Sequence, residues 1–157
     1  MRYATLLLVL AVLAGCNKQP DNTVVGQAEF RKDGSLDFLR PDGNVITTID
    51  IEVVGDRESQ ARGLMGRRSL PSRGGMFFVY DAPKDQSFWM KNTPLPLDII
   101  FIGSDSSVVN IAKRTKPLSS ATIESISPAQ FVLEVRGGFT DRLGIDDSTR
   151  FRWTIDS

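Results

Sequence analysis

Short strand-like patterns dominate this sequence and limit the folds it can adopt more than any other feature. The clearest runs from Val45 to Val54, where apolar and polar positions alternate as in a β-branched strand of about ten residues. Leu97–Ile102 is apolar almost throughout, which is typical of a central strand. Turn residues such as Pro41-Asp42-Gly43 separate the runs. These patterns predict a mainly β domain.

Two segments have helical patterns instead. Asp56 can cap a helix that continues to Met65, and Gly138–Leu143 can form another. Both are too short to serve in an α/β crossover architecture. The expected fold class is therefore α+β: a compact, mainly antiparallel, partly closed sheet or barrel-like domain with two short helices. A long loop is expected at residues 114–127. Two strands, Gln27–Arg31 and Leu36–Arg40, are expected to form a hairpin around Asp33-Gly34. Further strands are expected at Met76–Tyr80, Ser87–Lys91, Val108–Lys113, Phe131–Val135 and Phe151–Ile155.

The N-terminus has the pattern of a bacterial lipoprotein signal. Arg2 precedes a short apolar stretch that ends in Leu13-Ala14-Gly15-Cys16, and Cys16 is the only cysteine. The stretch is about half the length that a membrane-spanning helix requires. We expect residues 1–15 to be removed, Cys16 to be acylated, and residues 16–23 to form a polar tether to one domain over residues 24–157. Membrane attachment through this lipid is the expected localisation, on the periplasmic face of the outer membrane if the envelope is Gram-negative.

Composition excludes several classes of function. The 19 basic and 19 acidic residues balance, so no bulk charge attracts nucleic acid, and nucleic acid is not an expected partner. The chain has no histidine, which rules out Ser–His–Asp and Cys–His nucleophilic sites. Ordinary zinc sites also need His or Cys. We expect no metal and no cofactor, and an enzymatic role is not favoured.

The segment from Trp89 to Asp98 has the densest set of polar side chains. It places Lys91, Asn92, Thr93 and Asp98 between an aromatic and an apolar strand, and prolines stiffen the connection. This arrangement suits a ligand site. It is also compatible with a purely structural role, in which Lys91 and Asp98 form an ion pair and Asn92-Thr93 cap a turn.

Arg62 extends this candidate ligand site. With Arg67, Arg68 and Arg73 it clusters around the first helix, where the arginines could hold an anionic group or simply form a solvated face.

Several stretches between about Asp50 and Ile155 form a recognisable set. They are Arg62-Gly63-Leu64-Met65, Arg68-Ser69-Leu70-Pro71, Gly75-Met76-Phe77-Phe78-Val79, Phe88-Trp89-Met90-Lys91-Asn92-Thr93, Pro96-Leu97-Asp98-Ile99-Ile100-Phe101-Ile102, and Phe131-Val132-Leu133-Glu134-Val135 with Gly137-Gly138. With these stretches the chain resembles the domain-of-unknown-function family 192. The resemblance implies a compact single-domain fold, frequently exported or lipidated, and no assigned activity. The family's variable loop often holds a cysteine, but the corresponding loop of this chain, residues 114–127, has none.

Three functional hypotheses follow. The favoured one is a lipid-anchored binding or adaptor module that uses the Trp89–Asp98 loop to bind an envelope ligand or protein. The alternative is a carboxylate-dependent hydrolase in which Asp98 works with a second acid such as Glu134, since two carboxylates can perform acid–base chemistry on a glycoside. The third is a purely structural envelope protein.

Overall fold

The structure, a computed structural model, describes residues 29–156. The expected signal peptide, Cys16 and the tether lie outside these residues. The described residues form nine strands and two short helices, which confirms the predicted fold class. The elements are β1 (Gly34–Leu39), β2 (Val45–Val54), α1 (Arg57–Arg62), β3 (Gly74–Lys84), β4 (Ser87–Phe88), β5 (Leu97–Ile102), β6 (Val108–Ala112), β7 (Ile123–Glu124), β8 (Ala129–Arg136), α2 (Phe139–Leu143) and β9 (Arg150–Ile155).

Seven strands form one sheet in the order β6-β5-β8-β3-β2-β1-β9, and β4 pairs with β7 in a separate two-stranded ribbon. All neighbours in the large sheet are antiparallel except β2 and β3, which are parallel. The sequence did not reveal this parallel pair. The connection that makes it possible contains α1, which is shorter than an ordinary crossover helix.

The large sheet curls, so that its edge strands β6 and β9 approach each other at one point. Ser107 and Arg150 form an isolated antiparallel bridge there, and the Phe151 amide donates to the Ser106 carbonyl at 3.1 Å. The contact does not extend along the edges. The sheet is therefore partly closed, as predicted.

Local signals explain the bounds of α1. Asp56 caps the helix by accepting hydrogen bonds from the amides of Glu58 and Ser59, each at 3.0 Å. The helix ends at Arg62 rather than at Met65 as predicted, because Gly63 has a φ of +47°, outside the helical region.

The predicted hairpin around Asp33-Gly34 is wrong for the residues that the structure describes. β1 begins at Gly34 and pairs with β2 instead, across the turn that contains Gly43. The Asp33 carboxylate accepts a hydrogen bond from the Val53 amide at 2.8 Å, which holds the start of β1 against β2.

Each face of the sheet carries its own apolar core. The first core includes Leu36, Phe38, Ile51, Phe77, Ile100 and Val135, and α2 adds Phe139 to it. The second core includes Leu64, Met76, Phe78, Met90, Ile99 and Val132. Strand β5 is buried along its whole length because both of its faces are covered, which explains its apolar sequence.

Candidate functional site

A pocket of about 200 Å³ opens on the face of the sheet that carries the second core. Residues 60–65, from α1 and the turn after it, form one wall, and Ser87–Trp89 forms the other. Phe78 from β3 and Glu134 from β8 line it from the sheet. The described residues that line the pocket are mostly apolar or aromatic, with a few polar groups, which is the usual composition of a small-molecule site.

Glu134 is the polar group that most distinguishes this pocket. It is buried, and its Oε2 atom has no hydrogen-bond partner in the described part of the chain. Burial raises the pKa of Glu134 to about 8, so the side chain is a neutral acid at pH 7. An unpartnered buried carboxyl destabilises a fold, typically by about 1–3 kcal/mol. Its position in a pocket points to a group that pairs with a ligand.

Gly63 keeps the backbone close to this carboxyl. A Cβ atom at this position would lie 3.4 Å from Cζ of Phe78 and 3.9 Å from Oε2 of Glu134. The positive φ of Gly63 also disfavours any side chain. A glycine therefore serves two purposes here, ending α1 and leaving space beside the acid.

Three of the candidate residues lie at the mouth of the pocket. Trp89 lines it with half of its surface exposed (52%), and the Lys91 ammonium lies 5.7 Å from the centroid of its ring. Arg62 lines the opposite wall and forms an exposed ion pair with Glu58 at 2.6 Å. The mouth therefore combines an aromatic surface with two cationic side chains.

Thr93 and Asn92 differ in position although they are neighbours in sequence. Thr93 is buried and lines the pocket, and its carbonyl accepts a hydrogen bond from the Leu118 amide at 3.0 Å. Asn92 has a φ of +59° and its carbonyl accepts from the Gly66 amide at 2.8 Å. Asn92 thus shapes the turn, whereas Thr93 faces the site.

Asp98 lies outside the pocket and has a structural environment. It is completely buried, and it accepts hydrogen bonds from the amides of Arg114 and Gly138 and from both the amide and the hydroxyl of Thr140, at 2.7–2.9 Å. Burial raises the pKa of Asp98, but these hydrogen bonds outweigh that effect and hold its pKa below the ordinary value. The carboxylate therefore ties β5 to the start of α2 and to the chain after β6.

The ion pair between Lys91 and Asp98 that the sequence suggested is not formed in the described structure. Asp98 is satisfied by backbone amides and Thr140, while Lys91 lies against the exposed face of Trp89. The two residues lie at opposite ends of a connection that contains Pro94 and Pro96, and only the Lys91 end reaches the mouth of the pocket.

Glu134 also fails as the second acid of a hydrolase that uses Asp98. In the register of β5 and β8, Ile99 is opposite Glu134 and Asp98 is opposite Val135. Cross-strand partners share a face, so the two carboxyl groups lie on opposite faces of the sheet. They cannot act on one substrate, and Glu134 is the only carboxyl among the described residues that line the pocket.

The remaining polar groups of the pocket are uncharged. Tyr80 lines it from β3, and burial, together with the negative charge that Glu134 acquires above its own pKa, raises the pKa of Tyr80 to about 12. Gln60 donates from Nε2 to the carbonyls of Gly55 and Val79, at 3.2 and 2.8 Å, which fixes α1 to the end of β2 and to β3.

The arginine cluster that was predicted around α1 divides into separate roles. Arg67 is buried and forms an ion pair with buried Glu52 at 2.6 Å. Arg73 donates to the Thr48 carbonyl on β2 at 3.0 Å. Arg62 is the member of the cluster that lines the pocket. The four side chains do not converge on one anion.

Within residues 29–156, no three or more Asp, Glu, His or Cys side chains are grouped so that they could hold a metal ion. None of the helices in these residues is sufficiently long and apolar to cross a membrane.

The family of the chain follows from its match to a family profile. Residues 38–153 match DUF192, described as Uncharacterized ACR. The chain belongs to the DUF192 family. The matched range contains every residue that lines the pocket, so the site is part of the DUF192 domain. No curated protein matches the chain.

Two solved structures are similar to this DUF192 protein. One is a proposed transcription regulator from Sinorhizobium meliloti 1021, with 32% identity, a TM-score of 0.74, and coverage of 82% of this chain and 98% of that chain. The other is a protein of unknown function from Novosphingobium aromaticivorans DSM 12444, with 35% identity, a TM-score of 0.71, and coverage of 76% and 84%. These similarities agree with the family assignment and add no activity to it.

Sequence reasoning named four residues that line the pocket or its mouth (Arg62, Trp89, Lys91 and Thr93) and treated Glu134 only as a possible partner of Asp98. One signal could have identified Glu134: it is a single acidic residue inside the apolar strand Phe131–Val135. A buried strand position that carries a carboxyl needs a partner, and the sequence shows none nearby.

Proposed function

We propose that this protein is a lipid-anchored protein of the cell envelope that binds a small ligand in the pocket between α1 and Trp89. The single observation that supports binding is the buried Glu134 carboxyl beside a pocket, one oxygen of which has no hydrogen-bond partner in the part of the chain that the structure describes. The anchor is supported by the sequence Leu13-Ala14-Gly15-Cys16 after a short apolar stretch. The binding surface is therefore the pocket rather than the whole Trp89–Asp98 loop.

We do not propose that this chain binds nucleic acid, although one similar structure is described as a proposed transcription regulator. The acidic and basic residues of this chain are equal in number, so the chain has no net positive charge that would attract a polyanion.

Binding can be tested with a pair of glycine variants. Gly63→Ala places a methyl group beside Phe78 and Glu134, so it narrows the buried end of the pocket. Gly66→Ala is the matched control, because Gly66 also has a positive φ (+75°) but a Cβ there meets nothing within 4 Å. Fragments that raise the melting temperature of the wild type and of Gly66→Ala, but not of Gly63→Ala, would locate binding in the pocket.

Two results would contradict this proposal. If no fragment in a broad library stabilises the wild type, or if every shift persists in Gly63→Ala, the pocket is not a binding site and a structural envelope role becomes the better account. Anchoring is tested separately by labelling cells with a radioactive fatty acid. The wild type should be labelled and fractionate with membranes, and Cys16→Ser should be neither labelled nor retained there.

A further inference from the structure

The chemistry at the buried end of the pocket limits the ligands that it can take, and this inference rests on the proposed binding function. Tyr80 from β3 and Arg62 from α1 are the other titratable groups among the described residues that line the pocket with Glu134. The cross-strand neighbours of Glu134, Ile99 on β5 and Met76 on β3, are uncharged. Lys91 lies further out, against Trp89. With the pKa of Glu134 raised to about 8 and that of Tyr80 to about 12, both groups keep their protons at pH 7.

An anionic ligand does not match these surroundings. Arg62 is the only cation among the described residues that line the pocket, and it already pairs with Glu58 at 2.6 Å. The carboxyl at the buried end is neutral, so nothing there compensates an anion that has left water. Phe78 and Leu64, both almost fully buried, make that end apolar.

A cationic ligand is also disfavoured. To pair with it, Glu134 would have to lose a proton and become a buried anion among apolar side chains. The cations at the mouth, Arg62 and Lys91, would oppose its entry. Both arguments leave a neutral group as the natural partner of the carboxyl.

A neutral carboxylic acid offers one O–H donor and one carbonyl acceptor side by side. An amide offers the complementary acceptor and donor at the same spacing, so the two groups can form a pair of hydrogen bonds. We propose that the pocket takes a small neutral molecule whose amide pairs with the Glu134 carboxyl and whose apolar body packs against Phe78, Phe88 and Trp89. The pocket volume of about 200 Å³ suits a body of the size of one aromatic ring.

Three probes of nearly equal size test this assignment: benzamide, benzoate and benzylammonium. Dissociation constants are measured by ligand-observed NMR on the purified full-length chain from pH 7 to pH 9. At pH 7 the dissociation constant of benzamide should be about tenfold or more lower than that of benzylammonium, because such a ratio corresponds to the net free energy of one hydrogen bond. Its affinity should fall with rising pH, by up to about tenfold, because an ionised Glu134 accepts but no longer donates.

Variants of Glu134 sharpen the test. Glu134→Gln keeps an adjacent donor and acceptor, so benzamide affinity should stay within about threefold of wild type and lose its pH dependence. Glu134→Leu removes both the donor and the acceptor, so it should weaken the binding of benzamide by about tenfold or more. Glu124→Gln, an exposed position on β7, is the control and should keep the wild-type pH profile.

The outcomes separate the amide assignment from the proposed function. Tighter binding of benzylammonium, with affinity that rises with pH and is lost in Glu134→Gln, would overturn the amide assignment and leave pocket binding intact. Tighter binding of benzoate than of benzamide would do the same. If none of the three probes binds while other fragments shift the wild type but not Gly63→Ala, only the amide assignment fails. If no fragment binds at all, both fail.

Discussion

Asp98 and Glu134 lie on neighbouring antiparallel strands, yet their carboxyl groups point to opposite faces of the sheet. Asp98 faces the first core and accepts four hydrogen bonds, whereas Glu134 faces the second core and its Oε2 atom has no hydrogen-bond partner among residues 29–156. Their pKa values shift in opposite directions for this reason. The Asp98 carboxylate therefore stabilises the fold, whereas the Glu134 carboxyl lines the pocket as a neutral acid.

Asp98→Asn should destabilise the domain although it hardly changes side-chain size. Oδ2 of Asp98 accepts hydrogen bonds from both the amide and the hydroxyl of Thr140, so an asparagine NH₂ group at that position would face two donors. If the asparagine instead placed its oxygen there, its NH₂ group would face the amides of Arg114 and Gly138, which would lose their acceptor. We expect a loss of about 2–4 kcal/mol in the free energy of unfolding, measured by urea titration.

The control for this substitution is Asp105→Asn, which changes an exposed turn carboxylate and should cost much less. The pKa of Asp98 is lower in the folded protein than its ordinary value. Asp98 therefore contributes its full stabilisation of the fold at pH values above its unfolded-state pKa, and this contribution is lost as the pH falls through its folded-state pKa. Equal losses for both variants would contradict the structural role of Asp98.

Glu134→Gln should change how stability depends on pH. In the wild type, Glu134 stays protonated when folded up to about pH 8 but ionises near pH 4.5 when unfolded. The folded state then holds one more proton between these values, so stability should fall with rising pH by up to about 1.4 kcal/mol per unit. Melting curves of Glu134→Gln should lack this slope. An unchanged slope would mean that Glu134 ionises normally in the folded protein.

The Arg67–Glu52 ion pair should be sensitive to loss of one partner. Both side chains are buried and their charged atoms are 2.6 Å apart. Arg67→Met therefore leaves the buried Glu52 carboxylate with only the Arg31 amide at 3.3 Å and the exposed Arg31 guanidinium at 3.9 Å. We expect a loss of about 3–5 kcal/mol in the free energy of unfolding, measured with denaturant. Arg62→Met removes an exposed i,i+4 pair and should cost less than about 0.5 kcal/mol. Similar losses in the two variants would contradict the burial argument.

Trp89 and Lys91 should matter for binding more than for stability. Trp89 is 52% exposed, and Lys91 contacts its solvent-facing ring. Lys91→Ala should lower the free energy of unfolding by less than about 1 kcal/mol, since an exposed cation–π contact is weak. Trp89→Ala should remove thermal shifts produced by pocket fragments while the melting temperature of the protein alone changes little. A large drop in that melting temperature would make Trp89 a packing residue instead.

The sequence predicts the strands well where a periodic pattern is long or wholly apolar. Val45–Val54 and Leu97–Ile102 have the same bounds in the structure, because burial of one face or both dictates their residues. Short elements depend on tertiary contacts, and there the predictions differ. Only Ser87–Phe88 of the predicted strand over Ser87–Lys91 is a strand, and Ile123–Glu124 in the predicted loop pairs with it. No local pattern indicates that pairing.

The site was harder to predict because its members converge from distant parts of the chain. Proximity in sequence suggested Lys91 as the partner of Asp98, but the actual donors come from Arg114, Gly138 and Thr140, up to 42 positions away. Glu134 lies beside Gly63 across a larger separation of 71 positions (134 − 63). Residue types can show which groups need a partner, but only the topology shows which partner they have.

Helix α1 has no buried residue, although it forms one wall of the pocket. Among the described residues, only its cap and the hydrogen bonds of Gln60 hold it in place. Its amides should therefore exchange with solvent through a local opening whose free energy is a small fraction of that of global unfolding. Glu134, by contrast, belongs to a strand with a neighbour on each side. For the ligand that we propose, the acceptable size would then be set by α1, which can move locally, and the required chemistry by Glu134 on β8, which two neighbouring strands hold in place.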